Sequence, residues 1–416
     1  MDNPATHPIV APILRLRQRE LLLTNLSVCL LATSTFSTPI RLPNAVNLHF
    51  LKLKELEEFA RRDDIEALLL RQEKFKEINA CLKMEIGDKL SKLITDKASY
   101  CTICSDMPLE WVYLDKLPLM ISHEVSKIPM TTGNMLLQYC APGDGINLTA
   151  LAFEKILVLR SFDADDRLKS ILEKSIKGFP ISKKTTVQFV DVNTVDEVVE
   201  ALNSFQGVLV IFDCHGSHDG PEGNGWLKIG NQQLNTWELA HIAQVPPIVL
   251  LSACSTSAIG GSHASVANGL LRSGALSVLG TLLPVNGLQS AIFMARLIYR
   301  LDSFLPAIKN MGFKKTTFRT IISTFFRMSY LTEILDYFEK EEKILLRDDY
   351  VRLHMKGSFM INSLSPNWYD ETIGEISKIT NESEDKLLSR IHKNKPLMET
   401  MLYCQHGRPE LITIYL

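Results

Sequence analysis

Apolar residues along this chain keep two different periods, and the change between them divides the sequence. From Leu51 to Leu93 they recur every three or four positions (Leu53, Leu56, Phe59, Ile65, Leu68, Leu69, Phe75, Ile78, Leu82), with Lys, Glu and Arg between. That spacing predicts helices burying one stripe. No tetratricopeptide-like self-similarity accompanies it. In the middle of the chain the apolar residues come instead in short unbroken runs: 155–160, 186–190, 207–212, 247–252 and 276–280. Helical segments are expected at 166–176, 195–204, 264–273 and 289–301. Continuously apolar strands separated by helices predict a mostly parallel sheet covered on both faces.

Helical periodicity returns at 316–326 and 331–346, and 362–370, with Pro366, reads as a loop. Ser383 followed by Glu384 and Asp385 reads as the cap and acidic first turn of a last helix reaching about Lys393. The expected organisation is a mixed, then helical, region over 1–95, an α/β domain over 96–305, and a helical region over 306–416. This last region either completes the α/β domain or forms a lobe of its own.

Composition narrows the function without naming it. Lys and Arg total 45 against 47 Asp and Glu, a formal charge of −2, so no overall field draws in polyanions. Nucleic acid is therefore not expected as a partner. The eight cysteines (Cys29, Cys81, Cys101, Cys104, Cys140, Cys214, Cys254, Cys404) are scattered, several of them inside apolar runs. Buried free thiols in a reducing compartment, the cytoplasm, are expected. Leu21 to Ala32, after Arg15, Arg17 and Arg19, has a faint likeness to a secretory signal, but Thr24, Asn25 and Ser27 interrupt it. A buried N-terminal segment is the expectation. No run reaches the roughly 18 apolar residues of a membrane span, so no membrane partner is expected.

Two of the five strands end in reactive residues. The third runs into Asp213-Cys214-His215-Gly216-Ser217-His218-Asp219-Gly220, and the fourth into Ser252-Ala253-Cys254-Ser255-Thr256-Ser257. Ligands of open parallel sheets bind beyond the carboxyl ends of the strands. If these two strands are neighbours, His215 and Cys254 emerge side by side. A thiol needs a base to become a strong nucleophile, and an imidazole can serve and then protonate a leaving amine. Gly216 lets the backbone approach a scissile carbonyl, so its N–H and that of Cys254 can form an oxyanion hole. Gly260, Gly261 and Ser262 leave room for a flexible loop after the thiol.

The box Cys-His-Gly-Ser-His-Asp after one strand resembles the His-Gly box of the caspase-like (clan CD) peptidases, and Leu-Leu-Ser-Ala-Cys-Ser-Thr after the next resembles their nucleophile box. More narrowly, residues 100–305 resemble a CHAT domain. Supporting stretches are Pro108-Leu109-Glu110-Trp111, Ser265-Val266-Ala267-Asn268-Gly269-Leu270-Leu271, and Gly274 to Thr281. The resemblance implies a caspase-like three-layer α/β sandwich with a His215–Cys254 dyad and Gly216 as an oxyanion donor. It implies an endopeptidase for a protein substrate, working without a cofactor in signalling or bacterial antiviral defence. A regulatory protein or sensor would dock on the N- or C-terminal helices. Related domains often carry Trp-x-Val-x-Asp after the fifth strand, whose acid helps accept a basic P1 side chain. Here Leu283-Pro284-Val285-Asn286-Gly287 puts Leu283 for the aromatic and Gly287 for the acid. A neutral P1 residue is thus the expectation, with Asp213, Ser252, Asn286 and Gly287 as candidate substrate-binding residues.

Blander readings are available for several of these residues. Cys214 alternates to the other side of its strand and reads as core. His218 and His263 read as loop residues that bind backbone or substrate. Cys101 and Cys104 read as two packed thiols, and Glu110-Trp111 as packing at the sheet edge. A metal site on His215, His218 and Cys254 lacks a fourth ligand and is not expected. No phosphate-binding glycine pattern or Gly-x-Ser-x-Gly elbow is present. Two rivals of other classes remain: a catalytically silent caspase-like interaction module and a nucleotide-binding α/β switch.

Overall fold

The computed structural model describes residues 8, 10–62, 64–130, 145–220 and 222–416; Cys140 lies outside them. The N-terminal part is helical: α1 (Val10–Ser34), α2 (Phe50–Ala60) and α3 (Ile65–Lys97). The Asp64 side chain caps α3 by accepting the Ala67 N–H at 2.8 Å. Gly87, at φ 75°, kinks α3 midway. The stripe is narrower than its period predicts. Leu53, Leu56, Phe75, Ile78 and Leu82 are buried, whereas Ile65, Leu68 and Leu69 face outward. The expectation of a buried N-terminal segment is corrected more sharply. In α1 only Ala11, Ser27, Leu31 and Ala32 are buried, because the helix touches the body along one edge, where Leu31 and Val28 meet Ile128 and Cys104.

After α3 come β1 (Tyr100–Cys104), the short α4 (Leu119–Ser122), β2 (Glu124–Ile128) and β3 (Ile146–Thr149). The α/β alternation follows: β4 (Lys155–Ser161), α5 (Ile171–Lys177), β5 (Thr186–Asp191), α6 (Val195–Ser204) and β6 (Leu209–Cys214). A small antiparallel sheet, β7 (Gly216–His218), β8 (Gly225–Ile229) and β9 (Gln232–Leu234), interrupts it. The alternation resumes with β10 (Ile248–Ser252), α7 (Val266–Arg272), β11 (Ser277–Thr281) and α8 (Gly287–Asn310). The remainder is β12 (Lys315–Thr317), α9 (Phe318–Asp336), α10 (Arg347–Asn362), α11 (Trp368–Thr380), α12 (Glu384–Asn394), β13 (Tyr403–Gly407) and β14 (Ile412–Tyr415). Ser383 caps α12 by accepting the Lys386 N–H.

Among the described residues, eight strands form the central sheet in the order β1-β2-β13-β11-β10-β6-β4-β5. All neighbours are parallel except β11 and β13. Alternate residues enter two different cores, the signature of a sheet covered on both faces. Ile156, Val158, Leu209, Ile211, Ile248 and Leu250 pack under the long helices, while Leu157, Leu159, Val210, Phe212, Val249 and Leu251 pack under α6, α7 and the small sheet. The mixed α/β sandwich anticipated above is therefore present. A strand from the chain's last residues, β13, sits inside it, between β2 and β11.

Glu110 and Trp111 are each 1% exposed and knit this end of the sheet together. Glu110 pairs with buried Lys127 of β2 at 3.2 Å. The Trp111 indole N–H donates to the Met401 carbonyl at 2.6 Å, and its ring meets Phe75 of α3 edge-on. Three regions remote in sequence thus close on one side chain. Trp111→Ala should lower the unfolding free energy by ~3–5 kcal/mol, as emptied aromatic sites do. Urea titration checks this, and a loss below about 1 kcal/mol would contradict the anchoring role.

Candidate active site

Strands β6 and β10 are neighbours and parallel, with Asp213 paired to Ser252. The chain leaves both strands in the same direction, and His215 and Cys254 line one narrow cavity of about 40 Å³ at their tips. The sequence-based juxtaposition is thus realised. Phe162, Leu168, Asp213, Cys214, Ser252, Val285, Gly287, Ser290 and Ala291 complete the wall.

Cys254 sits in a turn fixed from behind by buried Thr256 and Thr281. The Thr281 N–H donates to Thr256 Oγ1 at 2.9 Å, and Thr281 Oγ1 donates to the Ala253 carbonyl at 3.0 Å. The next residue, Ser255, holds φ 50°, a conformation that costs a non-glycine residue energy and persists only where its surroundings enforce it. The thiol of Cys254 donates to the Val285 carbonyl at 3.3 Å. Burial raises its pKa, so the resting sulfur is protonated. Gly216 lies hard against this turn: a Cβ there would come within 2.7 Å of the Cys254 carbonyl oxygen. That approach is open only to glycine.

The His215 ring is held from outside the two boxes. Its Nε2 lies 2.7 Å from Asp166 Oδ2, and the Phe162 ring meets it edge-on with centroids 5.3 Å apart. Burial works against the charge on Asp166, but the Leu168 N–H and the His215 ring bring its pKa below the ordinary value of 3.8. An ionised carboxylate only accepts, so Nε2 carries the proton and the lone pair of the neutral ring falls on Nδ1. Asp166 lies outside both boxes, in a stretch whose spacing predicts a helix over 166–176. The helix begins at Ile171, and the turn before it turns the acid to the histidine. An acid-rich stretch, Asp163 to Asp166, directly after a strand tip was the available signal.

The candidate substrate-binding residues separate. Asp213, Ser252 and Gly287 line the cavity, whereas Asn286 caps α8 by accepting the Leu288 and Gln289 N–H groups. Asp213 is 4% exposed; its Oδ1 accepts from Ser252 Oγ at 3.0 Å, and Oδ2 has no partner among the described residues. Burial pushes its pKa up to about 7. Cys214 is buried in the second core. His218 binds backbone, accepting the Gly220 N–H, and also meets Glu57 of α2, a contact not foreseen. His263 pairs with Asp106 at 3.4 Å. Cys101 and Cys104 lie on β1 with pKa values raised by burial to about 11 and about 12. All seven cysteines among the described residues are free. Among the described residues no group of three potential ligands converges as a metal site, and no helix is long and apolar enough to cross a membrane.

Residues 158–310 match the family model described as the CHAT domain. No curated protein matches the chain. The matched stretch runs from β4 to the end of α8 and holds both strand-tip boxes, Asp166 and the entire cavity. This stretch is therefore similar to a CHAT domain, a family related to the caspase-like cysteine peptidases of clan CD.

Proposed function

We propose that this chain is a cysteine endopeptidase in which Cys254 is the nucleophile and His215 the base, with Asp166 orienting the imidazole. The observation that carries this reading is the shared cavity: thiol and imidazole open into it from adjoining strand tips, and the imidazole is already fixed in one tautomer.

In the reaction, His215 Nδ1 takes the thiol proton as Sγ attacks the scissile carbonyl, and the Gly216 and Cys254 N–H groups hold the oxyanion. The imidazolium, stabilised by Asp166, protonates the departing amine as the C–N bond breaks. A water molecule then cleaves the thioester, giving one proton back to the thiolate by way of the ring, and leaves a new carboxyl terminus. No cofactor enters these steps. The substrate is a protein in a signalling or defence setting, and a regulatory protein or sensor would act on the helical regions; both rest on the family resemblance.

The cavity has room for a few waters only. With Gly287 in place of an acid, it favours a short neutral P1 side chain. Peptides differing only at P1 (Asp, Arg, Leu or Met) should show the neutral ones cleaved fastest, and strong Arg selectivity would refute this.

Cys254→Ala should abolish both hydrolysis and labelling by a thiol-reactive peptide. Asp166→Asn should lower kcat by roughly 100-fold with KM little changed, since it disturbs the base rather than binding. Full turnover in Cys254→Ala would remove Cys254 as the nucleophile, and a wild type that neither cleaves nor is labelled would favour a silent interaction module.

Asp213 gives the site a pH signature. The folded chain keeps its proton up to about pH 7, while the unfolded chain releases it near its ordinary 3.8. The stability it supplies is full below about pH 4 and is lost as pH rises through about 7. Asp213→Asn imitates the protonated group and removes that loss. Its stability relative to wild type should climb between about pH 4 and 7, by at most about 4 kcal/mol. A difference that stays flat across this range would show that Asp213 titrates normally.

A further inference from the structure

The N-terminal helices reach the catalytic centre through one carboxylate. Glu57 of α2 is 3% exposed. Its Oε1 accepts from the His218 ring at 2.5 Å and from Arg61 at 2.6 Å, and its Oε2 accepts the Gly260 N–H at 2.7 Å. His218 closes β7, the strand that begins directly after His215. Gly260 lies in the loop that follows Cys254. The two loops bearing the proposed dyad are thus fastened to the same side chain, far away in sequence.

His218 Nδ1 accepts the Gly220 N–H at 3.1 Å, and its Nε2 meets both Glu57 Oε1 and Arg61 Nη2, the latter at 2.7 Å, so ring, carboxylate and guanidinium form one cluster. Burial works to raise the Glu57 pKa, but the His218, Arg61 and Gly260 donors outweigh it and hold it below the ordinary value of 4.5. Glu57 is therefore a buried anion, and its donors cannot be replaced by water without rearrangement. A Cβ on Gly260 would come within 2.7 Å of Glu57 Oε2, so this loop approaches α2 so closely only because a glycine stands there. Ser262 ties the same loop to the hairpin by donating to the Gly223 carbonyl.

We propose that Glu57 is a positioning residue of the peptidase: by holding the His218 ring and the Gly260 amide together, it sets the loop after His215 against the loop after Cys254. The N-terminal helical layer is then the input through which the dyad's alignment is controlled. Its kinetic consequence rests on the peptidase reading; the loop order it asserts does not.

The test uses the full chain and two readouts, amide hydrogen exchange over 216–225 and 257–264 and turnover of the best neutral-P1 peptide. Glu57→Gln should raise exchange in both segments and lower kcat between about 10- and 100-fold, as small misplacements of reacting groups do, with KM changed little. Gly260→Ala breaks the same fastening from the loop side and serves if Glu57→Gln folds poorly. Because both variants cut one link, their effects on kcat should not multiply in the double variant. Glu77→Gln, an exposed carboxylate of α3 paired with Lys52 and Lys74, should change neither readout. Unchanged exchange in Glu57→Gln and Gly260→Ala, or effects that multiply in the double variant, would overturn the proposal. A wild type that cleaves no peptide while Glu57→Gln loosens both loops would leave the fastening standing and remove the peptidase reading instead.

Discussion

Strand β6 lies beside β10 with Asp213 opposite Ser252, and the rest of the site is arranged around that pairing. Side chains alternate along a strand, so a slip of one residue would send the buried members of either strand into the wrong core. The register is therefore locked by apolar packing on both faces: Val210 and Phe212 on one, Leu209 and Ile211 on the other. Chemistry at the tips takes its geometry from that lock. His215 and Cys254 meet because the strands carrying them cannot slide, and Gly216 can lie against the Cys254 carbonyl because it has no side chain.

Around this rigid base, three carboxylates are put into different states by their surroundings. Asp166 takes donors from Leu168 and His215 and stays ionised. Glu57, though buried more deeply, takes three donors and stays ionised too. Asp213 has one hydroxyl donor and a closed cavity, and it holds its proton into the neutral range. Burial works to raise the pKa of all three, and it is the number of donors set against that burial that separates them. What faces each acid thus decides whether it is an anion beside His215, an anion between two loops or a neutral part of the cavity wall.

What the sequence disclosed follows the same physics. β4, β6, β10 and β11 were legible because strands buried on both faces are apolar almost without a break, edge strand β5 by its Val187, Phe189 and Val190, and the two boxes because they interrupt such runs at their ends. Strand β13 was not legible: Gln405, His406 and Gly407 do not resemble a core strand, yet every residue of β13 is buried. Its place between β11 and β2 is set by pairing across the whole chain length. Asp166 and Glu57 were hidden for a related reason. Each sits in a polar stretch that helical periodicity assigns to a solvated face, and only the partner on a distant segment gives it a role.

The late position of β13 also bears on how this protein comes into being. A ribosome makes β1, β2, β11 and the site-bearing strands before it makes the strand that joins them, so the nascent chain holds two open sheet edges until β13 emerges. Fragments that stop short of β13 would lack the keystone and expose those edges to other chains.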